Sequence, residues 1–405
     1  MENLEYKFNP EDEYLFYPEP LSRANSFECL LNPPANYVPN TDKEAYTKIY
    51  NPQVRKEIAK TKSHRPWFLG FMSIIQVIIC GLSFYYNWKQ TGSVIALNPL
   101  NYMIGPANGI LITMGARYVP CMKSNTGYEV PNAYFTCPAA INGTGPINPL
   151  NDERVCFLKD VCSFAGYIPF KDPNQWYRFF TAIFLHSGAI HIAFNMALQI
   201  NVGFPLEREI GWWRMALIYF ISGGGGFLFG APLSDVNAIS VGCSGSLYGL
   251  IGCVLIDLIQ NWSLVHRPWI ELLKIMLNII VSLAVGYLPG IDNNAHFGGM
   301  IFGIISGTIL MPKLYFSKWD KIRKRFLVYL CIPLLLGGTG ILIYSFFTDI
   351  NFCTWCIYIN CIPNTSILPW CDAKLGNSIH HVTLPTLNST DISRVSIGWS
   401  SKIIQ

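Results

Sequence analysis

Six apolar stretches follow one another between Ser187 and Phe347, and a seventh precedes them from Trp67 to about Trp88. A hydrocarbon layer about 30 Å thick is crossed by about 20 apolar residues of helix, so a chain built this way folds around lipid. The composition agrees: 13% of the 405 residues are charged, where an ordinary soluble domain carries about 25%. That arithmetic excludes a soluble globular domain, general disorder, collagen and coiled coil. The expected fold is all-α, a polytopic membrane helical bundle with seven transmembrane helices. A net charge of +4 is too small to argue for nucleic acid, and the lipid bilayer is the expected partner.

The segment 1–65 is polar and begins with Glu2, Glu5, Glu11, Asp12 and Glu13, so it has neither the apolar core of a signal peptide nor the Arg-rich character of a mitochondrial presequence. It reads as a cytosolic N-terminal segment. The membrane domain is expected over 66–347, with a large first loop over 89–175 in which ANGILITMGA, Ala107 to Ala116, is a candidate short helix. The further spans are predicted at Ser187 to Leu206, Trp212 to Ala231, Gly242 to Gln260, Ile270 to Tyr287, Ala295 to Met311 and Phe326 to Phe347. A Cys-rich tail occupies 348–405.

With the N-terminus in the cytosol, the cytosolic connections collect Arg55 to Arg65, Arg208, Arg214, Arg267 and the cluster from Lys313 to Arg325. The short loops of the other side, Ser234 to Ser240 and Pro289 to Asn294, hold no Lys or Arg, as the positive-inside rule requires. Cysteines test this independently. Cys121, Cys137, Cys156 and Cys162 lie in the first loop and Cys353, Cys356, Cys361 and Cys371 in the tail, two even sets on the oxidising side, where disulfides outweigh a zinc reading. The pairing within each set stays open. Sequons at Asn142, Asn364 and Asn388 share that side, whereas the one at Asn261 is cytosolic. A multi-pass protein of the secretory pathway (endoplasmic reticulum, Golgi or plasma membrane) is expected, N-terminus cytosolic and C-terminus lumenal.

Polar groups retained inside spans are costly, so they mark function. His191 and Asn195 stand at i and i+4 on the second span, Ser244 opens the fourth within GCSGSLYGLIG, and His296 opens the sixth within IDNNAHFGG. Even spans all start at the lumenal face, which puts His191, Ser244 and His296 at similar depth, one or two turns below that surface. Gly245, Gly249 and Cys253 line one face of the fourth span, and Gly299, Gly303 and Gly307 one face of the sixth, so close packing would bring hydroxyl and imidazole together. Singly, a membrane serine usually bonds its own backbone and a membrane histidine serves as interhelical glue. The shared depth and the paired small faces favour a joint site.

These motifs, together with HIAFN from His191 to Asn195, WYR from Trp176 to Arg178, and Gly203, Glu207 and Gly211 spaced as GxxxExxxG, resemble the rhomboid intramembrane serine proteases. The resemblance runs from about Pro66 to Phe347 and is strongest to eukaryotic secretory-pathway members with a seventh span, fungal ones included. Cys243 departs from it, since Ala is usual there. The resemblance implies a Ser244/His296 dyad without an acidic member. It also implies oxyanion and substrate contacts from His191 and Asn195, and Tyr248 stacked on His296. Proteolytically dead relatives lose the serine or the histidine, and this chain retains both.

The implied function is serine endopeptidase cleavage of single-span transmembrane protein substrates near their lumenal boundary, with no cofactor and no metal. The alternative is a non-catalytic, client-binding relative acting in membrane-protein trafficking or degradation. Among the other polar residues, Glu207 and Arg208 are expected to tie helix ends together. His186 reads as a helix-entry residue, Asp292 as a loop residue within range of His296, and WYR as an anchor of the first loop at the lipid interface. Pro289 and Gly290 suggest a loop that opens over the site.

Overall fold

The computed structural model describes residues 63–97, 100–124, 134–136, 155–157, 161–163, 173–234, 236, 238–265, 267–288, 291–350 and 352–360. Cys137, Cys361, Cys371, Asn142, Asn364, Asn388, Pro289, Gly290 and nearly all of the N-terminal segment lie outside these residues.

Helices occupy all seven expected places. α1 spans Trp67–Thr91 and buries Leu69, Met72, Gln76, Cys80, Ser83 and Asn87, a stripe at the three- and four-residue spacing of one helix face. Phe71, Ile74, Val77 and Ile78 on its other side are exposed, as lipid-facing residues are. Next come the short helices α2, Asn108–Thr113, within the stretch predicted for it, and α3, Arg178–Thr181. α4, Ala189–Leu198, runs on through a π-helical turn, Gln199–Gly203, into α5, Phe204–Ile210. α6 follows at Trp212–Gly230, α7 at Ser244–Gln260, α8 at Pro268–Val285, α9 at Asn293–Leu310 and α10 at Lys318–Thr348. A last turn, α11, covers Ile357–Asn360.

Five of these segments are long and apolar enough to cross a membrane: Trp67–Thr91, Ala189–Ile210, Trp212–Leu233, Pro268–Val285 and Lys318–Thr348. α7 has 17 residues, and α9 has 18 with four glycines among them. The chain is an integral membrane protein.

Two local features differ from expectation. The first loop carries a small antiparallel ladder, β1 Tyr134–Thr136 with β2 Val155–Phe157, pairing Phe135 with Cys156. α10 starts eight residues before the predicted Phe326, because Ser317 accepts the Asp320 N–H as an N-cap and the charged first turns continue the helix. Polar composition there hid a helix start from an apolarity criterion.

The bundle is organised around α6, α7 and α9. The two glycine faces meet in register: a Cβ on Gly299 would fall 2.1 Å from the Gly245 carbonyl oxygen, one on Gly303 2.2 Å from the Gly249 Cα, and one on Gly307 2.6 Å from the Cys253 sulfur. α6 joins them through Gly226, whose Cβ would stand 2.5 Å from the Ala295 carbonyl oxygen. Without a hydrophobic drive between helices in lipid, this backbone proximity is the source of the packing. At one end of the bundle Glu207 caps α1, accepting the Phe68 and Leu69 N–H groups at 2.8 Å each. The carboxylate at the centre of the GxxxExxxG spacing thus serves as a helix cap.

The first loop is pinned from inside. Arg178 is fully buried and donates to the carbonyls of Ile112 (2.7 Å), Ala116 (2.8 Å) and Cys162 (3.3 Å) and to Gln175 Oε1 (2.6 Å). Burial lowers this guanidinium to about 10, so it is still a cation at neutral pH. WYR therefore anchors the loop by a buried arginine, and of the three residues only Trp176, 58% exposed, has the exposure of an interfacial ring. The disulfide Cys121–Cys162 closes the same loop, and Cys353–Cys356 closes a turn in the tail. Both pairings fall within the predicted sets.

Candidate active site

Ser244 is the first residue of α7 and His296 lies one turn into α9. Because Gly245 and Gly299 touch backbone to backbone, the two side chains meet: Ser244 Oγ is 2.7 Å from His296 Nε2. Ser244 is half-buried and His296 is 3% exposed.

The hydrogen bonds define which nitrogen carries the proton. Asn293 donates its amide to the carbonyls of Leu283 (3.1 Å) and Ile359 (3.0 Å), so its Oδ1 is the atom facing His296 Nδ1 at 3.1 Å. An amide oxygen only accepts. His296 thus carries its proton on Nδ1 and presents a bare Nε2 to the serine hydroxyl, the tautomer a general base needs. Tyr248, one turn along α7, stacks on this imidazole with centroids 4.3 Å apart and planes inclined by 13°. Its hydroxyl donates to Ser282 Oγ of α8 at 2.7 Å, which fixes the ring from its far end.

A second set of groups lies behind Ser244. Gly242 has φ +120°, a conformation that side chains rarely adopt, and a Cβ there would sit 2.9 Å from His191 Cε1 and 3.5 Å from Asn195 Nδ2. His191 and Asn195 are therefore packed on the backbone two residues before the serine. The Ser187 N–H donates to His191 Nδ1 (3.4 Å), which leaves the ring proton on Nε2. His191 Nε2 and Asn195 Nδ2 are both buried with no hydrogen-bond partner among the described residues. Two unsatisfied donors beside the start of a long helix make a place suited to a negative oxygen.

The structure separates Asp292 from the imidazole chemistry. Its side chain caps α9 through the Ala295 N–H (3.2 Å), accepts from Ser240 Oγ (2.8 Å) and pairs with buried Arg117 (3.3 Å). Burial alone would raise this carboxyl, but the Arg117 guanidinium and those hydrogen bonds outweigh it and hold it below its ordinary value. The partner at His296 Nδ1 is Asn293, which sequence reading missed although it stands at i−3 in DNNAH. His186 was also read too simply: it is fully buried, edge-on to His191 at 5.4 Å, with Nε2 3.6 Å from the Cys243 sulfur. Cys243 thus has a polar neighbour that an Ala there would lack.

Residues 173–313, which include Ser244, His296, His191, Asn195, Tyr248 and Asn293, match the Rhomboid domain family. Over 327 residues, 75% of this chain, the sequence is 33% identical to Rhomboid-type serine protease 2 of Emericella nidulans and spans 62% of that protein. It is 34% identical over 267 residues (60% of this chain) to Inactive rhomboid protein 1 of Homo sapiens, and 30% identical over 268 residues (60%) to the protein of that name from Rattus norvegicus. The chain spans 31% of the length of each of these two. The family match is centred on the helical bundle built on the α6, α7 and α9 glycine contacts, so residues 173–313 of this chain form a Rhomboid domain.

Proposed function

We propose that this chain is an intramembrane serine endopeptidase that cleaves single-span membrane proteins near the lumenal end of their transmembrane segment. The observation that carries the reading is the 2.7 Å contact between Ser244 Oγ and His296 Nε2, the nitrogen that accepts from the hydroxyl. His296 takes the hydroxyl proton as Ser244 attacks the peptide carbonyl, then returns it to the leaving amine as the C–N bond breaks. Water then adds to the acyl-enzyme, again giving its proton to His296, and Ser244 is released. The oxyanion formed in each half-reaction is met by the Ser244 backbone N–H at the start of α7 and by the orphan donors of His191 and Asn195, each worth about 3 kcal/mol in comparable sites. Tyr248 holds the imidazole in plane.

In this reading α7 and α9 also cross the bilayer, for seven spans in all. The N-terminal segment 1–65 is cytosolic, the membrane domain is 66–347, and the tail from 348 is lumenal in a secretory-pathway membrane. Substrates enter from the lipid, and helices weakened by Gly, Ala, Ser or Pro near the lumenal boundary unwind most readily.

The names of several relatives include the word inactive, so client binding without cleavage is the competing reading. The hydrogen-bonded Ser244/His296 pair favours catalysis. Purified protein should label with a fluorophosphonate at Ser244 and cleave a model type I span. Ser244→Ala and His296→Ala should each lower cleavage at least about 10³-fold. Equal cleavage by Ser244→Ala would overturn the mechanism.

A further inference from the structure

Beyond α10 the chain turns back over the site. After the disulfide-closed turn of Cys353 and Cys356, the segment Tyr358 to Asn360 lies across the connection between α8 and α9. The Tyr358 carbonyl accepts from Tyr287 Oη, two residues past α8 (3.1 Å), and the Ile359 carbonyl accepts from Asn293 Nδ2 (3.0 Å). Asn360, 9% exposed, completes the strap: its Oδ1 accepts the Asn294 N–H (3.2 Å) and its Nδ2 donates to Asp292 Oδ1 (3.2 Å).

All but the Tyr287 contact fall on Asp292, Asn293 and Asn294, the N-cap and first two residues of α9, and one of them reaches the imidazole. Asn293 is held by two carbonyls, one from α8 and one from the tail, and its remaining atom, Oδ1, faces His296 Nδ1. The strap lies outside residues 173–313, the stretch that matches the family domain. We infer that the tail is a working part of the site: Asn360 is a positioning residue that seats the strap, and the strap holds Asn293 and, through it, the direction and tautomer of the His296 ring. The inference rests on the hydrolytic reading of Ser244 and His296.

Loss of Asn360 frees the Ile359 carbonyl from its place over Asn293. The Asn293 amide can then rotate, and a base displaced by a fraction of an ångström loses rate without losing substrate affinity. The test uses the full chain in lipid nanodiscs, unsubstituted or carrying Asn360→Ala or Asn360→Asp. It measures kcat and KM on a single-span substrate, the rate of fluorophosphonate labelling, and hydrogen exchange across 292–296.

The expected result is a fall of about tenfold in kcat and in labelling rate at nearly constant KM, with faster exchange at Asn294. Asn360→Asp should be the more severe, because it sets a second carboxylate against Asp292. Trp355→Ala, on the same segment but 65% exposed, should change neither readout. A kcat that is unchanged or raised in Asn360→Ala overturns the inference, since the strap would then be packing alone or an obstacle. A variant that has lost its fold is recognised by faster exchange throughout α6 and α9, and the milder substitution then carries the test. If the unsubstituted chain neither labels nor cleaves, it is the hydrolytic reading that fails. Exchange at Asn294 then judges the strap, and no change in Asn360→Ala overturns it.

Discussion

Two neighbouring regions of the bundle are held by different physics. The α6 span is 67% buried within the protein, whereas the span of α8 is 6% buried. α6, α7 and α9 touch through glycine backbones, an arrangement that leaves no room for a methyl group. α8 presents Leu273, Leu277, Ile280 and Val281 outward and keeps mainly Ile275 and Ile279 against the bundle. Its polar ties to the site are Tyr248 to Ser282 and Asn293 to the Leu283 carbonyl. Both tying residues also touch His296. The Ser244/His296 pair is therefore fixed by the rigid region, while the imidazole is steadied by residues that also hold the loosely packed helix.

The contrast can be broken from its strongest point to its weakest. Asp292→Asn should cost about 3 to 5 kcal/mol, because it leaves the buried Arg117 cation without its charge partner. The same pair sets an acid limit. The folded Asp292 carboxyl lies below its ordinary 3.8, so the stability it contributes is complete above the unfolded value. That stability is lost as pH falls through the lower folded one. Acid unfolding in the substituted chain should lose that component, and an unchanged acid profile would show that the pair contributes nothing.

Next, Gly303→Val should destabilise by about 3 kcal/mol or more, since its side chain would meet the Gly249 backbone and the helices must part. Thermal unfolding in detergent measures it, and a neutral result would mean that α7 and α9 are not rigidly joined.

Ser282→Ala removes one hydrogen bond and should cost about 1 kcal/mol. Its sharper signature is kinetic: a looser α8 should change KM more than it changes labelling at Ser244. Smallest of all, Ile280→Ala, at a position 63% exposed, should shift stability by about 0.5 kcal/mol or less. A large loss there would show that α8 packs against something further.

Much of the fold was legible because the bilayer imposes a length and a polarity on each span. The glycine stripes of α7 and α9 were legible for a related reason, since a four-residue repeat marks one face. Helix ends were less so: α10 begins within charged residues, and a cap such as Ser317 is a local hydrogen bond that apolarity does not report. Arg178 beside two aromatic residues looked interfacial. Its burial depends on the carbonyls of Ile112 and Ala116, more than 60 residues away.

The sequence alone determined that this chain lives in a membrane and which small faces pair, and it singled out Ser244, His296, His191 and Asn195 as candidates for one site. Periodicity and hydropathy are properties of single helices, and they suffice for that. Only the tertiary structure decided which atom meets which. That Asn293 and not Asp292 faces His296 Nδ1, that His191 keeps its proton on Nε2, and that the tail returns to brace Asn293 all follow from hydrogen bonds between segments far apart in sequence. Such bonds have no period along the chain, and their partners are chosen by packing.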